Sequence, residues 1–188
     1  MIPSYLSSHG IKVAVLSLDD LYLPHAGLVS LASLHPDNLL LRGRGQPGTH
    51  DIALGLRCLE ALKGINEEGR EVELPVFDKS RFGGEGDRSS ETTRVRGQID
   101  IVMLEGWMMG FYPLNSADLS NKYALKALST PPTDGTEPPF FLAHKLDHLQ
   151  GINKSLKEYA PMWSYFDCFV QMRPVDMSYT WQWRLEVR

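Results

Sequence analysis

The sequence predicts an α/β protein with a mostly parallel sheet. Residues 11–18 and 99–104 are short apolar runs containing β-branched residues, which is typical of parallel strands buried on both faces. Residues 51–62 and 146–159 carry apolar residues at helical spacing. Strands that alternate with such helices favour a parallel sheet covered by helices.

Acidic residues stand where each of the two predicted strands ends. Asp19 and Asp20 follow the first strand, and Glu105 follows the second. The carboxyl ends of parallel strands form the edge at which open α/β sheets bind ligands, so one acidic site is predicted there. Neighbouring carboxylates can hold a divalent cation such as Mg²⁺ or accept a proton from a hydroxyl, and phosphoryl transfer needs both. For the second stretch alone, a plain strand followed by a turn is the alternative.

Composition and charge restrict the class of protein. The 188 residues suit one domain, and a net charge of −4 gives no global field that favours nucleic acid or acidic membranes. Cys58 and Cys168 lie far apart and outside any C-x-x-C pattern, which favours a reducing compartment. No apolar run approaches the ~20 residues of a membrane span, and no signal peptide is recognisable. We therefore predict a soluble, cytoplasmic protein without nucleic-acid or membrane partners.

Local start and stop signals predict the remaining elements. In chain order we predict a helix end at 1–9 with Gly10 as its stop, a strand at 11–18, a short helix from Pro24 to His35, a helix at 51–62 capped by Thr49 or Asp51, a short strand at 71–74 ending at Pro75, a polar connector at 89–97, the central strand at 99–104, a helix at 146–159 stopped by Pro161, a strand at 166–172 and the opening of a helix at 179–186. Residues 115–139 contain four prolines and predict a loop excursion.

A first shaped loop spans residues 41–51, where three glycines and a proline surround Arg42 and Arg44. The arginines give this loop the capacity to bind an anion. Gly43 to Gly48 has glycine spacing of a phosphate-binding loop, but Thr49-His50 stands where Lys-Ser/Thr is required, so that match is rejected. A sharp turn with solvated arginines remains the alternative reading.

A second polar loop, residues 75–88, combines aromatic residues, glycines and charged residues. Its charged residues include Asp78, Lys79, Arg81, Asp87 and Arg88. The glycines and aromatic residues favour a loop folded over a small ligand. A solvated charged surface is the alternative.

Five motifs together resemble one known family. They are Ser17-Leu-Asp-Asp-Leu-Tyr22, Arg42-Gly-Arg-Gly-Gln-Pro-Gly-Thr-His-Asp51, Phe77-Asp-Lys-Ser-Arg-Phe-Gly-Gly-Glu-Gly-Asp-Arg88, Glu105-Gly-Trp-Met-Met-Gly-Phe111 and Trp183-Arg-Leu-Glu186. In this order they resemble the D-glycerate 3-kinase family of P-loop kinases, which includes fungal ATP-binding members and is related to uridine kinase and pantothenate kinase. The resemblance runs through almost the whole chain.

The resemblance implies a three-layer P-loop kinase-like fold in one domain, residues 1–188, and transfer of the γ-phosphoryl group of ATP to a hydroxyl of D-glycerate with Mg²⁺. It assigns Asp19 as the base, Glu105 and Asp19 as the acids near Mg²⁺, and Arg184 to the segment over the nucleotide. The substrate-side residues that it implies are Asp20, Tyr22, Arg42, Arg44, His50, Asp51, Asp78, Lys79, Arg81, Asp87 and Arg88. Oligomeric state is left unassigned.

The sequence also departs from the family pattern. Family members begin with a strand and a Gly-Lys-Ser/Thr phosphate-binding loop, whereas this sequence starts within the helix that follows and stops inside the last motif. We therefore predict an incomplete domain, truncated at both ends, with reduced stability and lost affinity for ATP. The alternatives are a uridine-type nucleoside kinase, a non-catalytic truncated ATP-binding homologue or incomplete gene model, and an unrelated α/β domain.

Overall fold

A computed structural model of the chain describes residues 2–128, 140–176 and 178–186. The helices in these ranges are α1 (Ile2–Ser8), α2 (His25–Leu34), α3 (Ile52–Lys63), α4 (Ser116–Ala127), α5 (Leu146–Ser155), α6 (Ala160–Trp163) and α7 (Tyr179–Glu186). The strands are β1 (Val13–Ser17), β2 (Glu71–Asp78), β3 (Asp87–Arg96) and β4 (Ile101–Glu105). Short 3₁₀ turns lie at Leu18–Leu21, Leu39–Leu41, Phe82–Gly84, Phe140–Ala143 and Leu156–Tyr159.

Strands β1 and β4 form the predicted parallel pair. Their register runs from Val13 opposite Ile101 to Ser17 opposite Glu105. At the amino end of the pair, the Asp100 carboxylate accepts a hydrogen bond from the Lys12 amide at 2.8 Å. The α/β class with a parallel sheet is thereby confirmed.

The prediction that both strands are buried on both faces is wrong for the described residues. Ala14 and Leu16 are buried, whereas Val15, Ile101 and Val102 remain 37–38% exposed. The apolar composition therefore identified the strands but not the extent of their burial.

Helix α3 and the segment 156–163 cover the buried face. Leu59 and Leu62 of α3 join Met162 and Trp163 in one hydrophobic cluster with the strand residues. The Asp51 carboxylate caps α3 by accepting from the Leu54 amide at 2.9 Å, as predicted for this position. This cluster anchors the turn that follows β1.

The second sheet is an antiparallel hairpin of β2 and β3, and it corrects two predictions. Strand β2 runs through Pro75 to Asp78 with an irregularity between Pro75 and Phe77, and residues 87–96 form a strand rather than a polar connector. Ion pairs of Arg94 with Glu71 and Glu73, at 2.8 and 3.2 Å, cross the hairpin. Because charged side chains pair across this hairpin, β3 lacks the alternation of apolar and polar residues by which a strand is predicted from sequence.

Further differences lie toward the carboxyl end of the chain. Residues 116–127 form α4, capped by the Asn115 side chain on the Ala117 amide at 2.8 Å, although a loop was predicted there. Residues 129–139 of that predicted excursion lie outside the described residues. Pro161 stands in the first turn of α6, where its missing N–H costs nothing, and so does not end the helical segment.

The strand predicted at 166–172 is absent from this described segment, which is irregular. Val170 and Met172 are 74% and 82% exposed. An apolar run forms a strand only when a neighbouring strand supplies hydrogen bonds, and no described strand lies beside it. The helices predicted at 1–9, from Pro24 to His35 and at 179–186 are confirmed as α1, α2 and α7. No described helix is long and apolar enough to cross a membrane.

Candidate functional site

The parallel pair brings three acids to one edge of the sheet. Glu105 ends β4 opposite Ser17, and Asp19 and Asp20 lie in the turn directly after β1. Burial raises the pKa of Asp20 above its ordinary value, and the negative charges of Asp19 and Glu105 raise it further. The three carboxylates therefore lie close enough to interact.

Asp19 is the most strongly engaged of these acids. Its carboxylate accepts a hydrogen bond from Lys79 Nζ at 2.6 Å and remains about one-third exposed. Burial raises its pKa, but the hydrogen bond and charge of Lys79, with a hydrogen bond to Tyr22, hold the pKa below its ordinary value. Asp19 is thus an ionised, accessible carboxylate at neutral pH, as a proton acceptor must be.

Asp20 has a structural contact in addition to its place at the edge. Its Oδ1 accepts a hydrogen bond from the Phe77 amide at 2.9 Å. This bond ties the turn after β1 to β2, at the point where the strand register is irregular.

His50 is enclosed at the end of the arginine-containing loop, residues 41–51. It is 5% exposed, and Tyr22 stacks on its ring with centroids 4.3 Å apart. Its Nδ1 lies 2.7 Å from the hydroxyl oxygen of Tyr159. Burial lowers the pKa of His50 to about 4, so the imidazole is neutral at pH 7.

Arg44 joins this loop to the loop that links β2 and β3. Its Nη1 donates to the carbonyl oxygens of Gly84, at 2.6 Å, and Glu85. The guanidinium lies 5.9 Å from the centroid of the Phe77 ring. Trp107, two residues after Glu105, donates its indole N–H to the carbonyl of Gly45 at 3.1 Å.

Arg42 behaves differently from Arg44. Its side chain is exposed and has no hydrogen bond or ion pair within the described part of the chain. The structure therefore places one arginine in a defined contact and leaves the other solvated, which corresponds to the two readings that the sequence left open for this loop.

In the second loop, Arg81 pairs with two aspartates, Asp78 and Asp87. Arg81 Nε lies 3.4 Å from Asp78, and its Nη1 lies 3.9 Å from Asp87. Asp87 also accepts from the His25 amide at 2.8 Å, while Asp78 accepts from the Ser80 hydroxyl at 2.6 Å. These contacts order the loop around Lys79 and Asp19.

Arg88 and Asp51 form a partly buried pair beneath the site. Arg88 Nη1 lies 3.3 Å from Asp51 Oδ2, and Nη2 donates to the Tyr22 carbonyl at 2.8 Å. Because Asp51 also caps α3, this pair fixes the start of that helix to the segment carrying Tyr22. Both residues were predicted on the substrate side, and the contacts observed here are internal.

Glu105 is the carboxylate best suited to a metal ion. It is exposed, and its carboxylate has no hydrogen bond or ion pair in the described ranges. No group of three or more potential His, Cys, Asp or Glu ligands occurs among the described residues. Mg²⁺ commonly takes only one or two carboxylates together with phosphate oxygens and water, so the donor chemistry of Glu105 fits it.

Two residues of the site were not among the predicted site residues. Tyr159 was predicted only as part of an apolar helical stripe, and Trp107 only as part of a motif. The phenol and indole contacts join positions 109 and 62 residues apart, so no local signal reports them. Arg184 lies in α7, but its side chain falls outside the described part of the structure.

Comparison with known proteins shows extensive similarity. The structure of a D-glycerate 3-kinase from Cryptococcus neoformans var. grubii is 45% identical, with a TM-score of 0.90, over 100% of this chain and 62% of that chain. The chloroplastic D-glycerate 3-kinase of Arabidopsis thaliana is 35% identical over 178 residues, which is 93% of this chain. A probable ATP-dependent kinase of Saccharomyces cerevisiae, TDA10, is 41% identical over 105 residues, which is 55% of this chain. No protein-family model matches the chain.

All three relatives are longer than this chain. The chain spans 34% of the plant protein, 36% of the yeast protein and 62% of the Cryptococcus structure. The similarity therefore includes the architecture and the site described above, but it extends over less than two thirds of the length of each relative.

Proposed function

We propose, from the similarity of this chain to D-glycerate 3-kinases, that it carries the acceptor-substrate site of an ATP-dependent kinase. In this function the γ-phosphoryl group of ATP is transferred to a hydroxyl of D-glycerate. The observation that carries the proposal is the ionised, partly exposed Asp19 carboxylate beside Glu105 and Lys79 at one edge of the parallel pair.

The role proposed for Asp19 follows from its contacts. A hydroxyl becomes a better nucleophile when a carboxylate within hydrogen-bond reach accepts its proton. Lys79 keeps Asp19 ionised, and the turn after β1 holds it at an accessible edge. Lys79 also places a positive charge where negative charge on the transferred phosphoryl group develops.

The carboxylate of glycerate requires a cationic partner, and Arg44 is the residue proposed for it. Its guanidinium is held over Phe77 and against the Gly84 carbonyl, so its orientation is fixed before a ligand arrives. A planar guanidinium with donors to spare can bind a carboxylate through two hydrogen bonds. Arg42, which is solvated, supplies further positive charge nearby.

ATP is proposed as the phosphoryl donor because the yeast relative is named as a probable ATP-dependent kinase. Glu105 would hold Mg²⁺ through an exposed carboxylate, with Asp19 as a second candidate ligand. The ion neutralises charge on the phosphate oxygens when bound. We propose a small hydroxy acid as the ligand partner and retain the cytoplasmic location as a prediction.

Uridine-type nucleosides are the second candidate substrate, and the observation that favours them is Trp107. Its indole is 55% exposed at the same edge, and Phe111 lies edge-on to it with centroids 6.2 Å apart. An exposed aromatic face can stack on a base. Arg44 favours the hydroxy acid instead, since a neutral nucleoside offers no carboxylate.

Turnover measurements separate the two substrates. The purified full-length protein is incubated with Mg-ATP and either D-glycerate or uridine, and phosphorylated product is measured by mass spectrometry. We expect phosphoglycerate and no uridine phosphate. Uridine phosphate alone would overturn the choice of substrate, and no product with either would overturn the proposed kinase activity.

A non-catalytic ATP-binding chain is the remaining alternative, and a thermal shift tests it on the 188 residues alone. If this chain binds nucleotide, a saturating concentration of Mg-ATP raises Tm, because a ligand that binds only the folded state stabilises it. Nucleotide binding to the chain combined with no turnover by the full-length protein would establish this alternative.

Arg44→Ala is expected to raise KM for D-glycerate by about tenfold or more, since a lost charge-assisted hydrogen bond costs about 1.5–3 kcal/mol. The kcat value should change less, because the carboxylate does not react. Arg57→Ala is the matched control, since Arg57 is an exposed arginine on α3. Steady-state kinetics with varied glycerate measure both; an unchanged KM in Arg44→Ala would remove Arg44 from substrate binding.

A further inference from the structure

The hydroxyl of Tyr159 contacts two residues of the arginine-containing loop, Gly48 and His50. Tyr159 is fully buried, and its oxygen lies 3.0 Å from the Gly48 amide nitrogen and 2.7 Å from His50 Nδ1. An amide N–H can only donate, so the oxygen accepts from Gly48. Burial raises the pKa of Tyr159 above its ordinary value, and the phenol keeps its proton.

This arrangement determines which nitrogen of His50 carries the proton. The Tyr159 phenol needs an acceptor, and His50 Nδ1 is the acceptor that the described residues offer it. Nδ1 therefore has no proton of its own, and the neutral imidazole carries its proton on Nε2. The tautomer follows from the hydrogen-bond network around Tyr159.

The Nε2–H group of His50 has no partner within the described part of the structure, although the atom is buried. Because Nδ1 faces Tyr159, Nε2 points away from it. Tyr22 stacks on the ring, and Asp19, which forms a hydrogen bond with Tyr22, acts on His50 through its charge. A buried donor without an acceptor is unfavourable, so a ligand oxygen that reached Nε2 would supply the missing partner.

We propose that Tyr159 is a positioning residue that fixes the His50 proton on Nε2, so that His50 presents a neutral N–H donor to an oxygen of the small hydroxy-acid substrate beside Asp19. This inference rests on the proposed function for the identity of the substrate. A neutral donor orients a hydroxyl or carboxylate oxygen without adding a second cation that competes with Lys79 for Asp19. Recognition of the substrate's charge is left to Arg44 in the same loop.

The tautomer is tested without any activity measurement. Long-range ¹H–¹⁵N spectra of the chain at pH 7 distinguish a protonated from an unprotonated imidazole nitrogen, and the His50→Gln variant identifies the His50 signals. We expect Nε2 protonated and Nδ1 unprotonated, and a mixture of tautomers in Tyr159→Phe. An Nδ1–H tautomer, an imidazolium, or unchanged spectra in Tyr159→Phe would overturn the proposal.

Kinetics of the full-length protein test the consequence for the substrate. Tyr159→Phe is expected to raise KM for D-glycerate about tenfold, as loss of one oriented hydrogen bond does, while KM for ATP stays unchanged. Tyr165→Phe is the matched control, because the Tyr165 hydroxyl donates to Glu60 on the surface at 2.7 Å. A general loss of structure would raise both Michaelis constants, and that result would overturn a positioning role.

A double substitution shows whether Tyr159 acts through His50. The glutamine of His50→Gln keeps an N–H donor near the position of Nε2 and needs no tautomer to be fixed. Adding Tyr159→Phe to it should therefore raise KM for glycerate by less than about twofold. An equal effect of Tyr159→Phe in both backgrounds would overturn the proposal.

No glycerate turnover by the unsubstituted protein would overturn the proposed function and the substrate assigned to His50, while the spectra decide the tautomer independently.

Discussion

Asp19→Asn is expected to lower kcat for D-glycerate by at least ~10²-fold, because the asparagine amide cannot accept the proton of the attacking hydroxyl. The fold should persist, since the amide keeps the shape of the side chain and its oxygen can still bind Tyr22 and Lys79. The ion pair that is lost is partly exposed, and such pairs contribute only about 0–1 kcal/mol to stability. Steady-state kinetics, with Tm as the measure of folding, test both statements.

Asp100→Asn is the matched control for that substitution. Asp100 lies at the amino end of the parallel pair, where it accepts from the Lys12 amide, so the same chemical change is made far from the acidic edge. We expect unchanged kcat in this variant. A near-normal kcat in Asp19→Asn would remove Asp19 as the base.

Gly86→Ala is expected to lower the free energy of unfolding by about 2–5 kcal/mol, from a backbone strain of about 1–2 kcal/mol and overpacking of about 1–3 kcal/mol. Gly86 has φ +83°, and an added Cβ would lie 2.3 Å from Phe77 Cε1 and 3.1 Å from Arg44 Nη1. Displacement of Phe77 and Arg44 should also raise KM for glycerate. Chemical denaturation and steady-state kinetics measure the two effects.

Gly84→Ala separates the clash from the backbone strain. Gly84 also has a positive φ, of +101°, but a Cβ there would meet nothing within 4 Å. The free energy of unfolding should then fall only by the cost of the backbone strain, about 1–2 kcal/mol. Equal destabilisation by the two variants would show that the close packing of Gly86 against Phe77 and Arg44 adds nothing to the loss of stability in Gly86→Ala.

The sequence was sufficient to predict the parallel pair, α3 and the common edge for Asp19 and Glu105. These features depend on apolar runs, a capping aspartate and the acids that follow the strands, all of which are local signals. The similarity to a D-glycerate 3-kinase structure over the whole chain agrees with the family predicted from the five ordered motifs.

The elements that were missed depend on long-range or non-apolar interactions. Strand β3 is paired to β2 through Arg94 and Glu71, which a search for alternating apolar residues does not detect. The strand predicted at 166–172 has the right composition but no neighbouring strand in the described structure. The contact between Tyr159 and His50 joins positions 109 residues apart, so only the tertiary structure places them together.

Calorimetric titration of the 188-residue chain with D-glycerate, and with uridine as the comparison ligand, tests the central claim most directly, because it requires no phosphoryl donor. The account predicts saturable binding of D-glycerate that is weakened by Arg44→Ala, unaffected by Arg57→Ala, and absent for uridine. Binding of uridine without binding of D-glycerate, or equal binding of glycerate by both arginine variants, would contradict a hydroxy-acid site at the edge formed by Asp19 and Glu105.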